Sequence, residues 1–268
     1  MSVITTLVVP VAGKGVRLLP LTEKTPKALI LLQGKPLLSY ILEEAVQSGI
    51  VDVVLIISPD FREQFAAYHE SAKSLFSQLR FHIYEQIEPW GNGRAVLLAY
   101  EFLKKGPFVM RFPDDIFYGD MPAIQELVGV YEKHRQPVIL LDSVPWETVS
   151  LHGLIGIKQS HSEKLHVISE VIEKSKLKER AAPSNLTVVG GYVITPTLLE
   201  HLKEAEKEAP QILDGLLINA AFHRELSDGG EILGVMVSGR RFDCGKLEGL
   251  AAAEEFLKNQ ANSPHQYQ

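Results

Sequence analysis

Short apolar runs that alternate with amphipathic helical segments are the feature that most constrains the fold of this chain. Four runs are rich in Val, Ile and Leu: Leu7–Val11, Val53–Ile57, Phe108–Phe112 and Val138–Leu141. Such runs are typical of strands that are buried on both faces, as in a parallel sheet. Apolar residues at helical spacing lie between and around them, in Pro36–Ser48, Gly93–Lys105 and Met121–Lys133. The alternation predicts a doubly wound α/β fold whose functional site lies at the carboxyl ends of the strands.

The second half of the chain is predicted to extend the same sheet. Beyond about Pro145, the pattern predicts strands at Leu154–Lys158, His166–Glu173, Thr187–Ile194 and Leu233–Val237. It predicts helices at Thr197–Lys207, Ile212–Arg224 and Leu247–Lys258. Because no Pro-, Gly- or Ser-rich linker separates the halves, we expect a single domain over residues 1–258 and a flexible tail over residues 259–268.

The charge balance and the cysteine content narrow the function classes. The net charge of −6 argues against broad affinity for nucleic acid or anionic membranes, although it allows a local basic pocket. The single cysteine, Cys244, cannot form an intrachain disulfide and suits a reducing compartment. No apolar run approaches the length that spans a bilayer, and the N-terminus lacks the pattern of a secretory signal. The sequence therefore predicts a cytoplasmic protein with no nucleic-acid or membrane partner.

A loop with two glycines and two cations follows the first predicted strand. Gly13 and Gly15 allow a sharp turn and bring backbone N–H groups close to a ligand. The third glycine of a dinucleotide fingerprint is missing, since Leu18 stands there, and no Gly-Lys-Ser/Thr of a P-loop follows. The glycines alone are equally compatible with a plain turn, and Arg17 or Lys27 alone with a solvated surface charge. In combination they favour a triphosphate site, because guanidinium and ammonium groups bind phosphate oxygens.

The segment "GKGVRLLPLTEKTPK" resembles the G-x-G-T-R-x-x-P-x-T-x-x-x-P-K signature of sugar-1-phosphate nucleotidylyltransferases. Seven positions agree: Gly13, Gly15, Arg17, Pro20, Thr22, Pro26 and Lys27. The resemblance covers nearly the whole chain and is greatest to the bacterial UTP–glucose-1-phosphate uridylyltransferases, whose A-P-S-N-L and D-C-G motifs also occur here. It implies a Rossmann-like, doubly wound, mixed but mostly parallel sheet flanked by helices, of the nucleotide-diphospho-sugar transferase type. Residues 1–145 would form a nucleotide-binding half, and residues 146–258 a sugar-binding half with a closing helix.

This resemblance implies transfer of a uridylyl group from UTP to glucose 1-phosphate, giving UDP-glucose and pyrophosphate, with Mg²⁺ as cofactor. The implied catalytic cations are Arg17, Lys27 and Lys174. The implied nucleotide-binding residues are Ala12, Gly13, Gly15, Gln86 and Gly91. The implied sugar-binding residues are Gly153, Glu173, Lys174, Asn185 and Gly190. The implied metal ligands are Asp114 and Asp243.

Each charged residue in this set also has a simpler interpretation. Asp114 follows Pro113 in turn-forming text, and Asp243 is about as easily explained by an ion pair with Arg240 or Arg241. The run "EKSKLKER" that contains Glu173 and Lys174 has the composition of a solvated charged segment. Carboxylate oxygens at a strand end nevertheless suit Mg²⁺, which usually binds one or two carboxylates together with phosphate.

The implied reaction needs no protein nucleophile, because the attacking sugar phosphate is already an anion. Positioning and charge neutralisation would supply the catalysis. In agreement, the sequence contains no persuasive Ser/His/Asp or Cys/His constellation. His82, His152 and His166 lack metal-ligand spacing and are interpreted as structural or surface residues, and Cys244 as a small packed side chain.

Several positions depart from the family pattern. Val16 replaces a threonine, Ala28 a glutamate and Ser175 a proline, while Lys246-Leu247 replaces Asn-Lys and so moves or removes a cation. Two alternatives therefore stay open: a nucleotidylyltransferase that uses dTTP or CTP, and a non-catalytic homologue that binds a sugar nucleotide and regulates a partner enzyme. The resemblance also suggests a homo-oligomer, although the region near residues 71–78, which helps relatives associate, is shorter here.

Overall fold

The structure is a computed structural model that describes residues 4–174 and 181–261. Its strands are β1 (Thr6–Pro10), β2 (Leu31–Leu32), β3 (Lys35–Pro36), β4 (Asp52–Ile57), β5 (Arg80–Glu85), β6 (Phe108–Arg111), β7 (Asp115–Tyr118), β8 (Val138–Ser143), β9 (Leu154–Ser160), β10 (Leu165–Ile172), β11 (Leu186–Ile194), β12 (Leu233–Met236) and β13 (Arg240–Asp243). Its α-helices are α1 (Leu37–Gln47), α2 (Arg62–Leu75), α3 (Asn92–Leu97), α4 (Tyr100–Leu103), α5 (Ala123–His134), α6 (Pro196–Glu206), α7 (Asn219–Ser227) and α8 (Leu247–Ala261).

The central sheet is mixed and has the strand order β5-β4-β1-β6-β11-β8-β12-β10-β9. The strands β5, β4, β1 and β6 are parallel, whereas β11 runs antiparallel to both of its neighbours, β6 and β8. A strand from the second half of the chain thus lies between two strands from the first half. Two small antiparallel pairs, β13–β7 and β2–β3, lie beside the main sheet. The predicted α/β architecture is confirmed.

Strand β1 shows why the parallel strands read as continuous apolar runs. Leu7 and Val9 pack into the apolar core on one face of the sheet, while Val8 packs into the core on the other face. All three are fully buried. Because successive side chains of a strand point to opposite faces, a strand with helices on both sides needs apolar residues at every position.

The predicted helix Ile212–Arg224 is wrong in its first half. Helix α7 begins only at Asn219, and residues 212–218 form an irregular segment. Two of its N–H groups bond to a loop of the first half: the N–H of Asp214 donates to the carbonyl of Pro89 (3.1 Å), and the N–H of Leu216 to that of Trp90 (2.9 Å). These tertiary hydrogen bonds replace the first helical turns.

Other differences concern elements with weak apolar patterns. The predicted helix Gly93–Lys105 is divided into α3 and α4. Helix α2 and the edge strand β5 were not predicted; α2 buries only Phe65 and Ala72, and β5 has no fully buried residue. Helix α8 continues three residues beyond Lys258, so residues 259–261 of the predicted tail are helical, and the rest of that tail lies outside the described residues.

The topology places a crevice where the chain changes direction across the sheet. β4 lies on one side of β1 and β6 on the other, so the loops after β1 and β6 diverge. Among the described residues, the helices all fall short of the length and apolarity that crossing a membrane requires.

Candidate active site

A cavity of about 880 Å³ opens at the carboxyl ends of β1 and β6. Most of the residues singled out from the sequence lie in its wall: Ala12, Gly13, Gly15, Arg17, Lys27, Gln86, Gly91, Asp114, Gly153, Lys174, Gly190 and Asp243. Glu173 and Asn185 are absent from the described lining. The fold therefore gathers residues that are more than 200 positions apart in sequence into one site.

The two glycines of the first loop do different work. Gly15 has a left-handed backbone with φ of 62°, and a Cβ there would lie 2.9 Å from the Thr22 Cγ2 atom. The Thr22 hydroxyl donates to the Gly15 carbonyl (2.9 Å), which ties the loop together. By contrast, nothing lies within 4 Å of the Cβ position of Gly13. Gly15 is required by the loop itself, whereas Gly13 leaves open space beside the backbone.

Both cations of this loop point toward Asp114. The Lys27 Nζ lies 2.8 Å from the Asp114 Oδ2, and the Arg17 guanidinium lies 3.8 Å from the same oxygen. Asp114 is almost buried, whereas the Arg17 side chain is 56% exposed and so is accessible to a ligand. Asp114 also carries a structural contact, because its carbonyl accepts from the Cys244 N–H (2.7 Å). That bond connects the end of β6 to the segment after β13.

Gly245 leaves a gap between Asp114 and Asp243. A Cβ at this position would collide with the Asp114 Oδ2 and would lie 3.0 Å from both the Asp243 Oδ1 and the Arg17 guanidinium. Two carboxylates thus converge on a space that only glycine keeps open. No group of three or more His, Cys, Asp or Glu side chains within residues 4–174 and 181–261 could hold a metal alone. The donor set fits a hard cation such as Mg²⁺ that completes its shell with substrate oxygens and water.

Asp243 pairs with a cation that the sequence reasoning did not assign to it. Its Oδ2 lies 2.8 Å from the Lys246 Nζ, and its Oδ1 accepts from the Gly245 N–H (3.2 Å). Burial by itself raises the pKa of Asp243, but the hydrogen bond and charge of Lys246 outweigh it and lower that pKa. The alternative partner was Arg240 or Arg241, and Arg241 bonds instead to Asp115 (2.6 Å).

Asp115, the residue after Asp114, has a structural role. It begins β7, is buried, and pairs with Arg241 across the β13–β7 ribbon. Burial raises the pKa of Asp115, and the charge of Arg241 opposes this rise. Gly190 makes room for the pair, because a Cβ there would lie 2.6 Å from the Asp115 Oδ2. Gly190, Asp115 and Arg241 all border the cavity, so this glycine is needed for packing at the cavity wall.

Gln86 and Gly91 are linked at the other end of the cavity. The Gln86 side-chain N–H₂ donates to the Gly91 carbonyl (3.0 Å), which fixes the orientation of the amide. Gly91 has φ of 106°, and a Cβ would overlap the Leu216 carbonyl. The irregular segment before α7 therefore packs directly on the predicted base-binding loop, and its Asp214 also lines the cavity. The role of Asp214 could be suspected from sequence only through the family's Q-L-T-D motif, which reads "QILD" here.

The predicted sugar side is assembled less completely. The Gly153 carbonyl accepts from the Thr187 hydroxyl (2.8 Å), and Lys174 lines the cavity. The amide of Asn185, however, donates to the Val144 carbonyl (3.0 Å), so its visible contact is structural. Ser175 lies outside the described residues.

The structure shows where the residues that depart from the family pattern and two of the histidines lie. Val16 is 65% exposed beside the cavity, whereas Ala28 is buried. His82 pairs with Asp52 (2.8 Å), as expected for a structural histidine. His152 was interpreted in the same way but lies in the cavity wall. Its pKa is lowered, first by burial and then by the charges of nearby cations.

Comparison with known proteins is consistent with this geometry. Residues 7–260 match the family model described as "Nucleotidyl transferase". The uridylyltransferase YngB of Bacillus subtilis (strain 168), named as acting on UTP and glucose 1-phosphate, is 31% identical over 89% of this chain and 84% of its own length. A UTP–glucose-1-phosphate uridylyltransferase of Pseudomonas aeruginosa is 28% identical over 92% of this chain and 93% of its own.

Solved structures resemble the whole fold. A UDP-glucose pyrophosphorylase complexed with UDP-glucose superposes with a TM-score of 0.84 at 26% identity, covering 96% of this chain and 99% of that one. A UTP-bound enzyme of the same kind from Acinetobacter baumannii gives a TM-score of 0.79 at 25% identity, covering 97% and 95%.

Proposed function

This chain belongs to the nucleotidyl transferase family, and we propose that it transfers the uridylyl group of UTP to glucose 1-phosphate. The products are UDP-glucose and pyrophosphate. The observation that carries the proposal is the convergence of Arg17 and Lys27 on Asp114 inside the cavity that also holds Asp243 and Lys174. Cations and carboxylates arranged in this way suit phosphate chemistry in the presence of a divalent ion.

The chemistry is a displacement at the α-phosphorus of UTP. An oxygen of the sugar phosphate forms a new bond to the α-phosphorus. The bond between the α-phosphorus and the oxygen that links it to the β-phosphorus breaks. Pyrophosphate leaves with the electron pair, and no proton has to be removed from the attacking anion. The side chains of Arg17 and Lys27 bind the triphosphate and neutralise its charge, and Lys174 binds the incoming phosphate.

Mg²⁺ would be held by Asp114 and Asp243, on either side of the gap at Gly245. Bound there, it would supply positive charge to the phosphate oxygens. Lys27 and Lys246 form ion pairs with these two carboxylates. Both are long side chains whose ammonium groups can move from the carboxylates to phosphate oxygens.

Uracil would be selected at Gln86. One hydrogen of the Gln86 N–H₂ group is donated to the Gly91 carbonyl, which fixes the orientation of the amide, and its oxygen and second N–H are left for a base. The oxygen can accept from the N3–H of uracil or thymine, and we therefore expect UTP or dTTP to bind.

The direct test is a nucleotide panel. Purified protein is incubated with Mg²⁺, glucose 1-phosphate and each of UTP, dTTP, CTP and ATP, and pyrophosphate release is measured. We expect UTP to give the highest kcat/KM. A preference for dTTP or CTP would move the protein to the alternative specificity. Binding of UDP-glucose without pyrophosphate release from any triphosphate would instead support the regulatory homologue.

The remaining expectations extend the same proposal. We propose that residues 1–258 act as one catalytic domain, since β11 from the second half lies between β6 and β8. A cytoplasmic location and a homo-oligomeric state stay predictions; light scattering coupled to size-exclusion chromatography measures the second.

A further inference from the structure

We propose that Lys246 binds the phosphate of the sugar substrate beside Lys174. This inference rests on the proposed function and adds a substrate contact to it. In the family pattern, the residues after D-C-G are Asn and Lys, whereas here they are Lys246 and Leu247. Relative to that pattern the cation is one position earlier, and the structure determines where that shift places it.

The shift places a cation inside the cavity. Lys246 lies between the end of β13 and the start of α8, it lines the cavity, and its Nζ is 2.8 Å from the Asp243 Oδ2. Its side chain is 45% exposed, so it is accessible from the cavity. Leu247, which occupies the family's lysine position, begins helix α8 and is not part of the described lining.

Residues predicted for the sugar side surround Lys246. His152 lies next to Gly153 in the cavity wall, and the charges of Lys246, Arg241 and Lys174 act on it. Arg17 and Lys27 pair with Asp114, and Arg17 also borders Asp243 across the gap at Gly245. Asp243, with Lys246 bound to it, thus lies between Asp114 and the sugar-side residues. A phosphate near Lys174 would have Lys246 as a further cationic neighbour.

Stability does not account for a lysine at this position. Lys246 directly precedes the N-terminus of α8, where the helix dipole disfavours a cation. A half-exposed ion pair such as that with Asp243 contributes little to stability. The residue is therefore poorly explained by folding and well explained by an anion in the cavity. Once a divalent ion takes the Asp243 oxygens, the Lys246 ammonium would be free to donate to a phosphate oxygen.

Kinetics of Lys246→Ala test the assignment. The KM for glucose 1-phosphate should rise about 10- to 100-fold, as expected for loss of one hydrogen bond to a charged group, while the KM for UTP should stay within about twofold. Lys246→Arg should restore most of the loss, because it keeps the charge. Lys258→Ala is the matched control: it removes the same charge from the far end of α8, where the side chain is 65% exposed, and should leave both constants unchanged.

Binding without turnover gives a second readout. Calorimetry compares UDP-glucose, which carries the sugar-linked phosphate, with UMP, which lacks it. Lys246→Ala should weaken binding of UDP-glucose about tenfold or more and leave binding of UMP within about twofold. If Lys246→Ala melts well below the wild type, Lys246→Gln, which keeps a long polar side chain, replaces it in both measurements.

The outcomes separate this inference from the proposed function. If the wild type turns over and Lys246→Ala has an unchanged KM for glucose 1-phosphate, the inference is overturned and the proposed function stands. A rise confined to the KM for UTP, or to that for pyrophosphate in the reverse reaction, also overturns the inference, since either would place Lys246 on the triphosphate side. If the wild type releases no pyrophosphate, the proposed function fails, and the comparison of UDP-glucose with UMP still decides the role of Lys246.

Discussion

Two sets of oppositely charged pairs lie at the cavity, and they differ in how exposed their cations are. The wall pairs, Lys27–Asp114 and Lys246–Asp243, have cations that are 22% and 45% exposed, so solvent and ligands can reach them. The buried pairs, Arg241–Asp115 and Arg111–Glu44, have cations that are 16% and 0% exposed, although the first of these pairs also borders the cavity. A partly exposed pair can exchange its partner at little cost, whereas a buried pair cannot.

The buried pairs hold the backbone on which the wall is built. Arg111 donates to the carbonyls of Gly190 and Asp115, each at 3.0 Å, as well as to the Glu44 carboxylate at 3.2 Å. It therefore connects helix α1 to the segment that carries Asp114. From this difference we expect two roles: the wall pairs exchange their partners for substrate groups, and the buried pairs keep Asp114 in place.

The neighbouring aspartates Asp114 and Asp115 should give the largest contrast. Asp114→Asn should lower kcat/KM about 10²–10³-fold, because a proposed metal ligand and a charge partner of Lys27 is lost, while the free energy of unfolding should change by less than about 1 kcal/mol. Asp115→Asn should lower the free energy of unfolding by about 3 kcal/mol, since Arg241 would stay buried without its counter-charge. Pyrophosphate release and urea denaturation measure the two effects.

The control for both is Asp120→Asn, which removes the same charge from an exposed position just after β7. It should alter neither activity nor stability. An unstable Asp114→Asn together with a stable, inactive Asp115→Asn would reverse the proposed division.

The two glycines of the first loop sharpen the comparison at a smaller scale. Gly15→Ala should lower the free energy of unfolding by about 1–2 kcal/mol, since its left-handed backbone and the contact with Thr22 resist a side chain. Gly13→Ala should alter it by less than about 0.5 kcal/mol, because its Cβ position is open. Its methyl group should instead raise the KM for UTP about tenfold. Equal losses of stability in the two variants would contradict this separation.

The residues predicted to bind the nucleotide come together in the cavity more completely than those predicted to bind the sugar. Gly15, Arg17 and Lys27 lie at fixed spacing in one loop after a fully apolar strand, so local sequence determines their relation. Asp115 and Arg241, in contrast, are 126 positions apart and meet only because β13 pairs with β7. Each of those strands has four residues, which is too short for a periodic signal.

Tertiary hydrogen bonds account for the other failures. Residues 212–218 have helical spacing, yet the N–H groups of Asp214 and Leu216 bond to the loop after Gln86. The amide of Asn185 is used by the Val144 backbone. Lys246 was visible as a departure from the family pattern, but its contact with Asp243 required the turn at Gly245. Partner choice of this kind depends on the assembled fold and not on spacing along the chain.

The pH dependence of stability should differ in sign between the two layers. In the wall, Lys246 outweighs the effect of burial and lowers the pKa of Asp243 below its ordinary value of 3.8. The unfolded chain then binds the proton more readily, so the stability that Asp243 contributes is lost as pH falls below about 4. Beneath the wall, burial raises the pKa of Glu44 above its ordinary value of 4.5, against the charge of Arg111. Here the folded protein binds the proton more readily, so stability is lost as pH rises above about 4.5.

Removing each carboxylate should therefore change the slope of stability against pH in opposite senses. Urea unfolding between about pH 3.5 and 7 measures the slope. In Asp243→Asn the loss at the acid end should be smaller than in the wild type, and in Glu44→Gln the decline toward neutral pH should be smaller. The slopes of the free energy of unfolding against pH are compared and not its absolute values, because Glu44→Gln also weakens the contact with Arg111 at every pH. If the slope changed in the same sense in both variants, protonation of Asp243 and of Glu44 would affect stability alike. That result would contradict the separation of wall pairs from buried pairs.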